Sequence, residues 1–127
     1  MKGIEIILLA VGGVIGTFLR YKIVESPLLF GALQINVLIV NIIGSFILGI
    51  FVVATQQWQI DSKYALLVAF GFCGSLTTMS ALALDTTNIL YNRQFELAAI
   101  NVAANVGLSI GAIFAGKTLL EVVIKLT

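Results

Sequence analysis

No charged side chain occurs between Glu25 and Asp61, between Lys63 and Asp85, or between Glu96 and Lys117, which leaves neutral stretches of 35, 21 and 20 residues. A helix crossing a bilayer needs about 20 mostly apolar residues, so each stretch is long enough for one crossing. The apolar run from Ile6 to Leu19 adds another. It meets Arg20 with no small-residue cleavage pattern, so it reads as a span rather than a leader. Only 10% of the 127 residues are charged, against about 25% in soluble chains, so the shell that water requires is missing. The expected protein is an all-α, multi-pass protein of the cell membrane, with the lipid bilayer as its solvent. Residues 1–127 are expected to form a single four-helix domain, with transmembrane spans at about 4–24, 33–55, 63–91 and 95–117.

The same residues exclude other functions. Seven Lys+Arg stand against six Asp+Glu with no basic cluster, which is no footprint for nucleic acid. The absence of His removes the commonest general base and metal ligand. A lone Cys73 makes neither an internal disulfide nor a thiolate metal site. Enzyme chemistry is therefore not expected.

Each span carries its own pattern. Gly12-x-x-x-Gly16 in the first suits close helix contact, which in lipid must come from packing rather than from the hydrophobic effect. Ser26-Pro27 marks a loop. Asn41, Ser45 and Gly49 in the second span are four apart and share a face, and Trp58 suits a membrane interface. The fourth span has a small-residue seam, Ala103, Gly107, Gly111 and Ala115, and a polar stripe of Asn101, Asn105 and Ser109 pointing elsewhere. Lys117, Glu121 and Lys125 follow in a tail expected to leave the membrane.

The third span is unusual. Its centre reads Gly71-Phe72-Cys73-Gly74-Ser75-Leu76-Thr77-Thr78-Met79-Ser80. Glycines followed by hydroxyl residues weaken a helix, because glycine costs about 1 kcal/mol relative to Ala and Ser/Thr bond the backbone locally. Two readings stand side by side. One is a helix broken at mid-membrane, its freed backbone lining a cavity or holding an ion. The other is a continuous helix packed on its glycines.

The mid-depth polar groups, among them Asn41, Ser75, Thr77, Thr78, Ser80, Asn101, Asn105 and Ser109, are nearly all donors and none is a carboxylate. Such a set suits a small anion, since donors replace its water and no fixed negative charge repels it. Each of these residues alone also fits a plain interhelical hydrogen bond, and Arg20 fits a snorkelling interface residue. The Lys/Arg distribution adds a clue. With the N-terminus inside, Lys2, Lys63, Lys117 and Lys125 face one way and Arg20, Lys22 and Arg93 the other, which is almost no orienting bias. A chain that inserts both ways can pair antiparallel, and four helices need a second copy to wall off an intramembrane site.

The third-span run resembles the signature of the Fluc fluoride channels, also called the CrcB family. The remaining family marks follow in order: Gly13-x-x-Gly16 leading to Arg20-Tyr21, Val40-Asn41 before Gly44-Ser45-Phe46, and Ser109 with Gly111. The resemblance covers essentially the whole chain. It implies an antiparallel, dual-topology dimer through which fluoride leaves the cell passively, and hence fluoride resistance. It implies that Asn41 donates to the ion, with Thr78, Ser80, Asn105 and Ser109 along the pore and Arg20 at the vestibule. Backbone carbonyls of Gly74 and Thr77 are implied as ligands of a structural sodium ion (Na+) between the subunits.

One departure stands out. The family pattern Phe-Ser-Thr-Phe after the paired threonines is here Met79, Ser80, Ala81 and Leu82. A phenylalanine edge carries the positive part of the ring quadrupole, which an aliphatic chain does not replace. The dimer is accordingly expected either as a heterodimer with a more complete family member, the reading favoured here, or as a homodimer that conducts poorly or differently. The competing function is a small multidrug-resistance-type proton-coupled exporter. That mechanism wants a carboxylate deep in the first helix, where this chain has only Glu5 at the start. A third class, a non-transporting membrane protein, would use the seams only to hold partners.

Overall fold

A computed structural model describes residues 1–127. Helix α1 spans Gly3–Val24, and Glu5 Oε2 accepts from the Lys2 backbone N–H at 2.9 Å to close its first turn. The chain leaves α1 just before Ser26-Pro27 and makes a two-stranded antiparallel hairpin, β1 (Leu29–Phe30) with β2 (Leu33–Gln34), in register Leu29 to Gln34 and Phe30 to Leu33. This corrects a strictly all-α expectation: Gly31 takes φ +63 at the turn, a left-handed conformation that glycine adopts without penalty. Because Leu33 and Gln34 are spent on this pairing, helix α2 starts at Asn36 and runs to Trp58.

Asn36 is the clasp of that connection. Its Oδ1 accepts from Leu28 N–H at 2.7 Å, and its Nδ2 donates to the carbonyls of Ile23 and Ser26 at 2.7 and 2.6 Å. One buried side chain thereby ties the end of α1, the loop and the hairpin to the start of α2.

The third crossing, Lys63–Tyr91, is composite. It comprises α3 (Lys63–Ala65), a π-helical run (Leu66–Cys73), α4 (Gly74–Leu76), two extended residues, and α5 (Met79–Tyr91). After a turn at Asn92–Gln94, in which Arg93 takes φ 56, helix α6 runs from Phe95 to Leu126. The chain thus has four helical crossings long and apolar enough to span a membrane.

Glycines set how the helices meet. A Cβ on Gly12 would strike the Leu67 carbonyl, and one on Gly16 the Phe72 carbonyl, so α1 lies directly on the backbone of the π-helical run. In the same way Gly49 of α2 abuts the Ile113 backbone and Gly116 of α6 the Phe46 backbone. The Gly12/Gly16 contact expected from the sequence is thus made within the chain. The seam of Gly107 and Gly111 is not: no atom lies within 4 Å of where their Cβ atoms would stand. Only 20 of 127 residues are buried, and Asn36, Asn41, Thr78, Asn101 and Asn105 are among them. The small interior thus combines close backbone packing at glycines and polar contacts with a few apolar side chains such as Val40 and Leu76, the mixture expected where lipid is as apolar as leucine.

Candidate ion site at the helix break

The break falls at Thr77 and Thr78, midway through the third crossing. Thr77 has φ −79 and ψ 155 and Thr78 has φ −151 and ψ 122, both extended. The broken-helix reading of the sequence therefore holds over the continuous one. Both sides of the gap are finished by side chains. Thr77 Oγ1 donates to the Cys73 carbonyl at 2.9 Å, and Thr78 Oγ1 accepts from Ala81 N–H at 3.1 Å, capping α5. Arg20, reaching from α1, donates Nε to the Ser75 carbonyl at 2.9 Å.

Across the gap stands Asn41 of α2. Thr78 N–H donates to Asn41 Oδ1 at 2.7 Å, and Asn41 Nδ2 donates to the Thr78 carbonyl at 3.3 Å and to Asn105 Oδ1 of α6 at 2.9 Å. In an unbroken helix Thr78 N–H would bond the Gly74 carbonyl. Its diversion to Asn41 takes that helical donor from Gly74, whose residue is exposed.

These groups border a cleft of about 370 Å³ between α2, the broken crossing and α6. Among the residues singled out from the sequence, Asn41, Gly74, Thr77, Thr78, Met79, Leu82, Asn105 and Ser109 line it. Ser80 does not: it is exposed beside the cleft, its hydroxyl 3.2 Å from Thr78 Oγ1. Arg20 lies in a second cavity, with Thr17 and Ala81, which meets the cleft's residues only at Thr78. The replacements at the two family phenylalanine positions behave oppositely, since Met79 is 70% exposed and Leu82 only 4%. Ser109 Oγ is buried without a hydrogen-bond partner.

Sequence reasoning missed part of the lining. Leu48, Ala69, Val106 and Ile110 also face the cleft, and among so many apolar membrane residues nothing in their identity marks them. Gly44 was visible as a family mark, and its role is spatial, because a Cβ there would strike the Thr77 side chain. No group of three or more His, Cys, Asp and Glu side chains comes together anywhere, so carbonyls, hydroxyls and carboxamides are the chemistry on offer. Such a set solvates a small ion without exchanging protons or electrons with it.

Comparison with known proteins places the chain in a family. The family model described as CrcB-like protein, Camphor Resistance (CrcB), matches residues 7–117. A protein of Nitrosopumilus maritimus (strain SCM1) named fluoride-specific ion channel FluC is 59% identical over 125 residues, covering 98% of this chain and 99% of that one. Proteins of the same name from Sulfurihydrogenibium sp. (strain YO3AOP1) and from Rhizobium etli are 42% identical over 116 residues and 36% over 124. They cover 89% and 95% of this chain and 94% and 99% of their own. All three bear the name of an ion channel and none that of an enzyme. A multi-pass membrane protein with a mid-crossing break built on this motif, matched over most of its length, is a member of the CrcB-like family.

Proposed function

We propose that this chain is a subunit of a fluoride-specific ion channel of the cell membrane, through which fluoride leaves the cytoplasm passively, giving fluoride resistance. One observation carries the reading: Ser109 Oγ is buried and unpaired on the wall of a cleft whose polar lining is neutral. An unpaired buried hydroxyl costs about 1–3 kcal/mol, and a small anion that accepts from it removes the cost. The names of the relatives support fluoride as that anion.

In this reading Asn41, Thr78, Asn105 and Ser109 form the polar wall of the pore and Met79 and Leu82 its apolar wall, with Ser80 at its margin. Arg20 adds positive potential near the break, from the second cavity. The cleft lies open at Gly74 and Met79, which supports a second subunit as its missing wall. The pair is an antiparallel, dual-topology dimer, either of two copies or of this chain with a family member that supplies aromatic edges where this one has Met79 and Leu82. Gly74 and Thr77 fit a structural sodium ion between the subunits, since the Gly74 carbonyl lacks its helical donor and unwound carbonyls suit a hard cation. Sodium there would supply charge that holds two subunits together. The exporter alternative is disfavoured because α1 holds only Glu5, at its start.

Purified protein in fluoride-loaded vesicles, alone or with a family partner, should release fluoride down its gradient, and Asn41→Asp should slow release at least tenfold. No fluoride release in either arrangement overturns the proposal. Native mass measurement of the dimer from its own membrane separates one subunit type from two.

A further inference from the structure

We infer that Thr86 and Asn101 are positioning residues for this ion path: they set the direction of a chain of buried carboxamides so that every side-chain oxygen in it is covered by an N–H. The functional consequence rests on the channel reading above; the chain itself rests on geometry alone.

The chain starts at a hydroxyl whose one proton is already committed. Thr86 Oγ1 donates to the Leu82 carbonyl at 2.7 Å, which leaves the Thr86 oxygen to accept from Asn101 Nδ2 at 3.2 Å. Asn101 must then turn Oδ1 the other way. That oxygen and the Asn101 backbone carbonyl receive the amino group of Asn105, at 3.3 and 2.9 Å. Asn105 accordingly shows Oδ1 to Asn41 Nδ2 at 2.9 Å. At the far end Thr78 N–H, which can only donate, meets Asn41 Oδ1 at 2.7 Å. Both ends impose the same direction. Asn41, Asn101 and Asn105 are 8%, 3% and 3% exposed, so little water competes for these bonds.

A bare carboxamide oxygen facing the path would repel an anion, and an amino group would attract it. Here the oxygens of Asn101, Asn105 and Asn41 are covered by Asn105, Asn41 and Thr78 respectively. Asn101 itself does not line the cleft; it borders a separate polar recess of about 250 Å³ with Asp85 and Gln94. It therefore acts on the ion through Asn105. Without its side chain, the Asn105 amino group keeps the Asn101 backbone carbonyl but loses its second acceptor, and the chain loses its anchor at Thr86, so the Asn105 carboxamide and the oxygen it turns to Asn41 are held less firmly.

The experiment compares fluoride and chloride efflux from vesicles for wild type, Thr86→Val, Asn101→Leu and the double variant. Asn101→Leu should lower the fluoride-over-chloride ratio at least tenfold, and Thr86→Val should lower it less. The double variant should equal Asn101→Leu, because Thr86 works only through Asn101. A purely structural role would scale both fluxes together; an unchanged ratio, or effects that add, overturns the inference. Thr86→Val is nearly isosteric and keeps the test open should Asn101→Leu fail to fold. Side-chain amide NMR of asparagine-labelled protein provides a readout independent of transport. The Asn105 and Asn41 resonances should move in both single variants, and unmoved resonances overturn the relay. If wild type releases no fluoride, the channel reading falls while the NMR arm still decides this one.

Discussion

The Asn41 carboxamide pairs with the backbone of Thr78 through two hydrogen bonds, Thr78 N–H to Oδ1 at 2.7 Å and Nδ2 to the Thr78 carbonyl at 3.3 Å. A carboxamide is a peptide group without a chain, so α2 completes the broken crossing much as a neighbouring strand would. Asn41→Leu keeps the approximate volume but strands both backbone groups. At about 1–3 kcal/mol for each buried group left unpaired, thermal unfolding in detergent should show a large drop in midpoint, with the break as the first region to exchange amide hydrogens.

Thr78 has a second duty, as the cap of α5 through Ala81 N–H. Thr78→Val should cost about 1 kcal/mol, the usual worth of an N-cap, and Thr78→Ser should cost much less because the hydroxyl remains. Denaturant unfolding of the two variants side by side checks this order.

Arg20 reaches the Ser75 carbonyl from another helix, with its charged head partly shielded. Arg20→Met preserves the apolar stem and removes the donor. A loss of about 1–2 kcal/mol is expected, near the low end for a hydrogen bond from a charged group because the site is only partly buried. Arg20→Lys should not restore it, since Lys carries a methylene where Arg20 Nε donates. The midpoint of thermal unfolding reads both.

Met79 and Leu82 answer differently to restored aromatics. Met79 is 70% exposed, so Met79→Phe should leave the stability of the chain unchanged and, on the proposed function, raise fluoride efflux. Leu82 is 4% exposed, and Leu82→Phe should cost about 1–3 kcal/mol through overpacking. Efflux rate and unfolding midpoint, measured on both, separate the two effects.

Glycines of similar appearance should also part company. Gly116→Ala drives a Cβ into the Phe46 backbone carbonyl and should yield little monodisperse protein on size-exclusion chromatography. Gly107→Ala meets only open space and should be recovered like wild type.

Three crossings were legible because lipid enforces one rule, the absence of charge over some 20 residues, and Glu25, Asp61, Lys63, Asp85, Glu96 and Lys117 outline it directly, while the first showed as the apolar run Ile6 to Leu19. The break was legible in kind, since Gly74 and the paired threonines are poor helix formers. Its position after Leu76 was not, because Asn41 decides which N–H is diverted, and that contact spans 37 residues. The π-helical run was invisible: Leu66–Cys73 is apolar almost throughout, and nothing in its composition separates it from an ordinary membrane helix. The clasping role of Asn36 was not legible, since its three partners depend on how the hairpin folds back. In α6 the two stripes were clear, but only the structure shows that the polar one turns inward while Gly107 and Gly111 stay uncovered.

Helix α6 continues unbroken for 32 residues. At 1.5 Å per residue that is about 48 Å, well beyond a hydrocarbon thickness of about 30 Å. Its last turns, carrying Lys117, Glu121 and Lys125, form a stiff lever rooted beside the cleft. A spin label or fluorophore near Thr127 would thus translate a tilt of a few degrees at Asn105 into a displacement of ångströms, giving a spectroscopic gauge of motion at the cleft from the far end of the helix.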